Sequence, residues 1–103
     1  MSADLKEALS VVESALCSAE AGVGPFSHGD RDWWSRHRAA MEQCAAQLTA
    51  RLGARINDRW NGCSVRIAGL SSTSTSGMAG ALRNWMAAAE RRIRDAAAAG
   101  RAG

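Results

Sequence analysis

DRDWWSRHRAAMEQCAAQLTARLGARINDRW, residues 30–60, is one uninterrupted amphipathic stretch that stops at Asn61-Gly62. Its apolar residues recur at the spacing of one face of an α-helix. They are Trp34, Met41, Ala45, Leu48, Leu52, Ile56 and Trp60. The pattern predicts a single long helix of roughly 45 Å, with Asn61-Gly62 as its C-terminal cap.

A β-hairpin is the competing interpretation of the second half of this stretch. Gly53 costs a helix about 1 kcal/mol relative to Ala, so the helix could end there. Asn61-Gly62 would then form a type I′ turn between residues 54–60 and 63–69. The four-residue spacing of Leu52, Ile56 and Trp60 favours the helix.

The flanking sequence predicts two more helices, over residues 2–20 and 77–99. Residues 21–29 contain three glycines and the only proline of the chain, so they predict a loop. Residues 100–103 are expected to be a frayed tail after a cap at Gly100.

Residues 63–76 are expected to be extended, because Cys63, Val65 and Ile67 alternate with polar residues in the pattern of a strand. A strand needs a pairing edge. That edge could come from Ser71–Thr75, from a second protomer or from a partner protein; otherwise the segment is an extended connector.

The expected fold is therefore mainly α and a single domain, residues 1–103. Three helices are built on one long central helix, with a short extended or β segment between the second and third. The first and last helices are expected to pack against the long one.

The composition of the chain indicates its cellular compartment and the kind of partner that it could bind. Hydrophobic residues make up 47% of the chain, which excludes a disordered chain. The net charge is +3, which allows an acidic partner. Lys6 is the only lysine, so all the other basic side chains are arginines. Three cysteines without a C-x-x-C pair, together with no signal peptide and no membrane span, predict a cytoplasmic protein.

Three groups of residues are candidates for binding an anion or nucleic acid. The first is a basic stripe on the long helix, the second combines an arginine with hydroxyls before the last helix, and the third ends that helix. In that order they are Arg51, Arg55 and Arg59; Arg66, Ser74, Thr75 and Ser76; and Arg91, Arg92 and Arg94. The alternative for each is an ordinary solvated face or helix cap.

The tryptophans at the two ends of the long helix are candidates for protein binding. Trp33 and Trp34 point about 100° apart on a helix, so one is expected in the core and the other exposed. Trp and Arg dominate binding hot spots, and Arg38 follows one turn later. We therefore expect a protein-binding surface made of Trp33, Trp34, Arg38 and Trp60. The alternative is that the two adjacent tryptophans both seal the junction between the helix and the loop before it.

Metal binding and catalysis have little support in the sequence. His37 and Cys44 share a helix face but would lie about 10 Å apart, too far for one ion. Neither histidine stands at a recognisable spacing from a nucleophile or an acid. We expect no metal, no cofactor and no enzymatic activity.

Trp60-Asn61-Gly62, near the middle of a chain of 103 residues, resembles the Trp-x-Gly turn of the WXG100 family. The resemblance covers these three residues and the length. It implies a small secreted helical hairpin that dimerises. The chain departs from the family pattern at residues 65–75, which carry no helical pattern, and at Glu90, which falls five residues after Trp85 instead of four.

Taken together, these features predict a small non-enzymatic protein–protein interaction module that acts as a regulator, inhibitor or assembly factor. Phage-like mobile elements often encode accessory proteins of this form. The expected partner is another protein or a second copy in a homodimer, with no membrane involved. The main alternative is a nucleic-acid-binding protein that uses arginine-rich helix faces.

Overall fold

A computed structural model of the chain describes the backbone of residues 2–102 and the side chains of residues 5–100. Within these limits, three helices and three strands form a mainly α fold. Their order is α1 (Ser2–Val23), α2 (Trp33–Leu52), β1 (Arg55–Arg59), β2 (Gly62–Ile67), β3 (Leu70–Ser74) and α3 (Met78–Ala102). This confirms the predicted class, three helices with an extended segment between the second and third.

The helix boundary expected at residue 60 is wrong, because α2 ends at Leu52. Gly53 adopts the left-handed conformation (φ 62°) and its N–H donates to the carbonyl of Thr49. A residue without a Cβ takes this conformation at little cost, so Gly53 ends the helix. The chain after it is free to pair as a strand, as the hairpin interpretation predicted.

The three strands form one antiparallel sheet in the order β1-β2-β3. Ile56 of β1 pairs with Val65 of β2, and Val65 pairs on its other side with Ser72 of β3. The predicted strand at residues 63–69 therefore finds both pairing edges within its own chain, and residues 71–75 supply one of them.

The first hairpin turns one residue earlier than the Asn61-Gly62 turn of the hairpin interpretation. Arg59 pairs with Gly62, which leaves Trp60 and Asn61 as the connection. Trp60 is thereby excluded from the strand and from the core. The helical turn implied by the resemblance to the WXG100 family is also wrong, since residues 60–62 lie in a β-hairpin.

The other boundaries shift by a few residues. Helix α1 continues to Val23, so the loop covers residues 24–32 instead of 21–29. Helix α3 continues past Gly100 to Ala102, so Gly100 is not its cap; Gly103, the last residue of the expected frayed tail, lies outside the described residues. Over the described residues, no helix is both long and apolar enough to cross a membrane.

The core lies between a helical layer and the inner face of the sheet. Helix α1 packs between α2 and α3. Helix α3 was expected to pack along α2, but it packs on α1 and on the sheet instead. Within the sheet, α3 contacts β3 most extensively. The largest fully buried side chains come from all three helices and from the central strand. They are Trp85, Leu48, Ile67, Leu82, Val12, Val65 and Cys63.

Trp85 of α3 links the helical layer to the sheet. Its indole is fully buried and its Nε1–H lies 3.2 Å from the carbonyl oxygen of Ile67 and 3.1 Å from that of Leu70. These two residues pair across the β2–β3 turn. A single side chain therefore fills the core and holds the turn in place.

The first turn of α3 lies unusually close to the end of β3. A Cβ built on Gly80 would lie 2.7 Å from the Oγ of Ser74, closer than real contacts allow. The Asn84 side-chain amide also donates to the carbonyl of Thr73 at 2.9 Å. A Cβ at position 80 would therefore require the Ser74 hydroxyl to move, and it would also lie 3.1 Å from the Cβ of Ser76.

Replacing Trp85 with Phe should destabilise the protein by about 1–3 kcal/mol, because the buried carbonyls lose a hydrogen-bond donor. Chemical denaturation followed by circular dichroism measures this change. The control is Trp34→Phe on an exposed ring, which should change stability by less than about 0.5 kcal/mol. An unchanged midpoint for the Trp85 variant would contradict the role given to this indole.

Replacing Ala68 with Asn should stabilise the protein. Ala68 (φ 53°) and Gly69 (φ 78°) both have positive φ in the two-residue β2–β3 turn, where Asn-Gly is preferred. Asn tolerates this region better than Ala, so we expect a gain of roughly 0.5–1 kcal/mol in thermal denaturation. Ala68→Val should move the Tm in the opposite direction, and equal Tm values for both variants would contradict the assignment.

Candidate functional site

Two exposed surfaces contain the residues of interest, and the first is built around the loop before α2. Trp33, at the start of α2, is half-buried, and its indole N–H donates to the carbonyl of Gly24 at 3.0 Å. Its ring stacks on His37 with centroids 4.9 Å apart and planes 17° from parallel. Trp33 and His37 therefore hold the loop against the helix.

Asp30 fixes the other end of the same loop. Its carboxylate accepts a hydrogen bond from the N–H of Asp32 at 3.1 Å and forms an ion pair with Arg36. The hydrogen bond from the Arg36 guanidinium is the main reason why the pKa of Asp30 lies below its ordinary value. Both contacts place the loop over the first turns of α2.

Trp34 and Phe26 are the large hydrophobic residues of this region that stay exposed, with 62% and 48% of their surface accessible. Their ring centroids lie 5.8 Å apart. We call this pair the aromatic patch. Of the two adjacent tryptophans, Trp34 is thus the exposed one. Trp33 is half-buried and lies outside the core, so the expectation that one of them is in the core is wrong.

A groove runs beside the aromatic patch, between the first half of α2 and the end of β1. It has a volume of about 390 Å³, within the range of about 300–1,000 Å³ typical of ligand clefts. Met41 and Met78 are buried in its floor, while Trp34, Arg38 and Asp58 are exposed around it. An apolar floor with charges at the rim suits a partner's apolar side chain flanked by polar groups.

The second surface is the outer face of the sheet. In β2, Cys63, Val65 and Ile67 are buried, so Ser64 and Arg66 point away from the core. The strand register extends this outer face to both neighbours. We call it the arginine face, and its side chains are Arg55, Asn57, Arg59, Ser64, Arg66, Ser71 and Thr73.

The arginine face contains no acidic side chain. Asp58 pairs with Cys63 and so lies on the opposite side of β1, where its charge contributes to raising the pKa of Cys63. Arg55 and Arg66 are direct cross-strand partners. Like charges in such positions destabilise a sheet. Within the described part of the chain, the ion pairs involve Arg36 and Arg83, neither of which belongs to this face.

A shallow polar depression of about 430 Å³ lies at one end of the arginine face. The guanidinium of Arg59 borders it and donates through Nε to the Oδ1 of Asn57 at 3.3 Å. Hydroxyl groups of Ser64, Thr73 and Thr75 line the same depression. The depression thus combines a positive charge with several hydrogen-bond donors, the chemistry that holds phosphate or carboxylate oxygens.

Trp60 follows Arg59 at the tip of the first hairpin and has 97% of its surface exposed. Such exposure is unusual for the largest apolar side chain. The sequence proposed Trp60 for protein binding together with Trp34, but Trp60 does not line the groove. It lies at the tip of the first hairpin, directly after Arg59 of the arginine face.

The other arginines predicted to bind anions are dispersed. Arg51 lies in the last turn of α2, so the predicted helical stripe with Arg55 and Arg59 does not form. Arg91, Arg92 and Arg94 are exposed on α3. Arg91 and Arg94 share a face because they are three residues apart, whereas Arg92 points about 100° away from Arg91. Arg92 lines a separate groove against Leu5.

The three hydroxyl side chains proposed as part of an anion site before α3 also lie in different places. Ser74 points inward, and its Oγ accepts the N–H of Ser76 at 2.9 Å, so it stabilises the turn. Thr75 borders the polar depression of the arginine face, and Ser76 borders the groove beside Trp34. The three hydroxyls therefore do not form one anion site at the start of α3.

Sequence reasoning missed several residues that the structure adds to these surfaces. Phe26, Asn57, Ser64 and Thr73 were not singled out. Alternation was the available signal, since Arg55, Asn57 and Arg59 follow one another at a spacing of two. Once residues 55–59 are taken as a strand, their polar face becomes visible.

Among the described residues, no group of three His, Cys, Asp or Glu side chains is placed to hold a metal ion. Cys44 and Cys63 are buried, and burial is the main reason why the pKa of each thiol is raised. A thiol with a raised pKa is a poor nucleophile at neutral pH. Cys17 is exposed on α1.

Comparison of the chain with protein-family models, with curated protein sequences and with solved structures finds no match in any of the three.

Cys17 should react alone with a thiol reagent in the native protein. Cys44 and Cys63 should react only on unfolding, since both are buried. Ellman's reagent at pH 8 should titrate one thiol before addition of denaturant and three afterwards. The Cys17→Ser variant is the control and should show none before unfolding; two or more native thiols in the wild type would contradict the described burial.

The same thiols determine a pH dependence. Because their pKa values are raised in the folded state, their contribution to stability is fully present below the ordinary thiol pKa of about 8.5. It is lost as the pH rises through the higher folded-state values. The Tm should therefore fall above about pH 9, and Cys44→Ala should reduce the slope of that fall.

Proposed function

We propose that this protein is a small non-enzymatic protein–protein interaction module that acts as a regulator, inhibitor or assembly factor. The observation that carries the proposal is the aromatic patch, in which Trp34 and Phe26 stay exposed beside a groove with an apolar floor. Accessory proteins of phage-like mobile elements are the setting that we consider best suited to such a module.

Exposure of the aromatic patch supports the proposal because most of the Trp34 surface stays in solvent, although its ring packs edge-on against Trp33 with centroids 4.8 Å apart. Trp33 provides the hydrogen bond and the stacking that hold the loop in place, so Trp34 is not needed for either. Tryptophan is among the residues most enriched in binding hot spots, where it inserts into or packs against a partner's surface. Trp34 is therefore the proposed anchor of the interface.

The rim of the groove indicates the kind of partner. Arg38, Glu42 and Asp58 stand around the buried methionines of its floor, so both signs of charge are available. A protein segment with one apolar side chain flanked by polar or charged residues would complement this arrangement. Another protein is the proposed partner, and a second copy of the chain is the alternative occupant.

The non-enzymatic part of the proposal rests on the state of the reactive side chains. The two buried thiols have raised pKa values, and His37 is stacked on Trp33. These groups serve packing in the contacts that the structure describes. Free thiols also suit a reducing, cytoplasmic environment, which is the proposed location.

Replacing Trp34 with Ala should abolish capture of the partner with little loss of stability, because the side chain is mostly exposed. The measurement is affinity capture from nuclease-treated host lysate, followed by binding of the purified partner in calorimetry. We expect the Kd to rise at least tenfold, which corresponds to about 1.4 kcal/mol or more.

The matched control is Trp60→Ala, which removes an equally large exposed ring outside the groove and should leave capture unchanged. Sedimentation of the purified protein tests the homodimer alternative, in which Trp34→Ala should convert dimers to monomers. Capture that survives Trp34→Ala, or a monomer that captures nothing, would overturn the proposal.

A further inference from the structure

We propose that the arginine face binds single-stranded nucleic acid, with Arg55, Arg59 and Arg66 contacting phosphates and Trp60 stacking on an unpaired base. This surface lies on the sheet and its first hairpin, whereas the proposed protein-binding groove lies against α2. The inference therefore goes beyond the proposed function and can fail or succeed independently of it.

Charge complementarity is the first argument. Three arginines share a face without a single acidic side chain, and two of them, Arg55 and Arg66, are direct cross-strand partners. This pair repels in the unbound protein. An anion between the two guanidinium groups would replace repulsion with attraction, so the face is arranged to receive negative charge.

The polar character of the face favours nucleic acid over an acidic protein. Every side chain on the arginine face is polar or charged, so it offers no apolar surface for the core of a protein interface. Its amide and hydroxyl groups, from Asn57, Ser64, Ser71 and Thr73, are instead of the kind that donate to phosphate oxygens. A ligand with regularly repeated anionic oxygens uses all of them.

Trp60 supplies the contact that distinguishes a single strand from a duplex. Its ring is almost fully exposed at the hairpin tip, directly after Arg59. Aromatic side chains beside a basic surface stack on bases of single strands, and every base offers a face for such stacking. Paired bases inside a duplex cannot accept the ring in this way without unstacking.

Fluorescence anisotropy with a fluorescein-labelled single-stranded DNA of 20 nucleotides tests the proposal. Neutralising three phosphates predicts a slope of about −2 in a plot of log affinity against log salt. The affinity should then fall roughly tenfold to twentyfold between 50 and 200 mM salt. Absence of binding at 50 mM salt would overturn the proposal.

Arg66→Glu is the decisive variant because binding and stability should move in opposite directions. It should weaken binding at least tenfold, yet raise the Tm by a few degrees because Arg55 then faces an opposite charge. Arg91→Glu on α3 makes the same change in net charge and should alter binding by less than about twofold. Equal losses in both variants would mean unspecific attraction and would overturn the site. Arg66→Ser gives the same binding test should the Glu variant fail to fold.

Trp60→Ala tests the stacking contact and should weaken single-strand binding roughly tenfold without changing the salt slope. An unlabelled duplex and poly-glutamate serve as competitors. Competition by the duplex as strong as that by the single strand would overturn the preference for unpaired bases. Competition by poly-glutamate as strong as that by DNA, together with no effect of Trp60→Ala, would overturn nucleic acid in favour of an acidic protein.

Discussion

The hydrogen bonds from the indole of Trp85 to the carbonyls of Ile67 and Leu70 join the two layers of this protein. A three-stranded sheet of short strands is only marginally stable alone and needs a helix to cover its apolar face. Trp85 fills that role from α3 and at the same time fixes the β2–β3 turn. The register of the sheet, and with it the identity of every outward-facing residue, depends on this junction.

The junction also explains the contrast between the two sides of the sheet. On the inner side, Val65 and Ile67 pack against α3, and Gly80 allows the start of that helix to approach the end of β3 closely. In the described part of the chain no helix covers the outer side, so its side chains face water or a ligand. Three arginines, several hydroxyls and one amide occupy the outer side, and no carboxylate stands among them.

Both exposed surfaces contain features that folding by itself does not require. The ring of Trp34 is mostly exposed although one edge packs on Trp33, and 97% of the Trp60 surface is exposed. Arg55 and Arg66 face each other at a cost to the sheet. Departures from what local stability favours tend to concentrate at functional sites. The two proposed surfaces would let one small chain contact both a protein and a nucleic acid.

Much of the fold followed from local patterns in the sequence. The apolar spacing of Leu5, Leu9, Val12 and Leu16 predicted α1, the glycines and proline predicted the loop after it, and the alternation of Cys63, Val65 and Ile67 predicted β2. These patterns work because each depends on neighbours in the chain. The spacing of Leu52, Ile56 and Trp60 misled, because positions four apart share a face in a helix and also in a strand.

The sequence by itself determined the class of the fold, its helices and the residue types available for binding, since propensity and periodicity are local properties. Only the tertiary structure decided that residues 55–59 form a strand, because that outcome depends on pairing with Val65 and its neighbours across a turn. The same pairing brought Arg55, Arg59 and Arg66 onto one face. Packing against Gly24 and His37 decided that Trp33 is held in place and that Trp34 remains exposed.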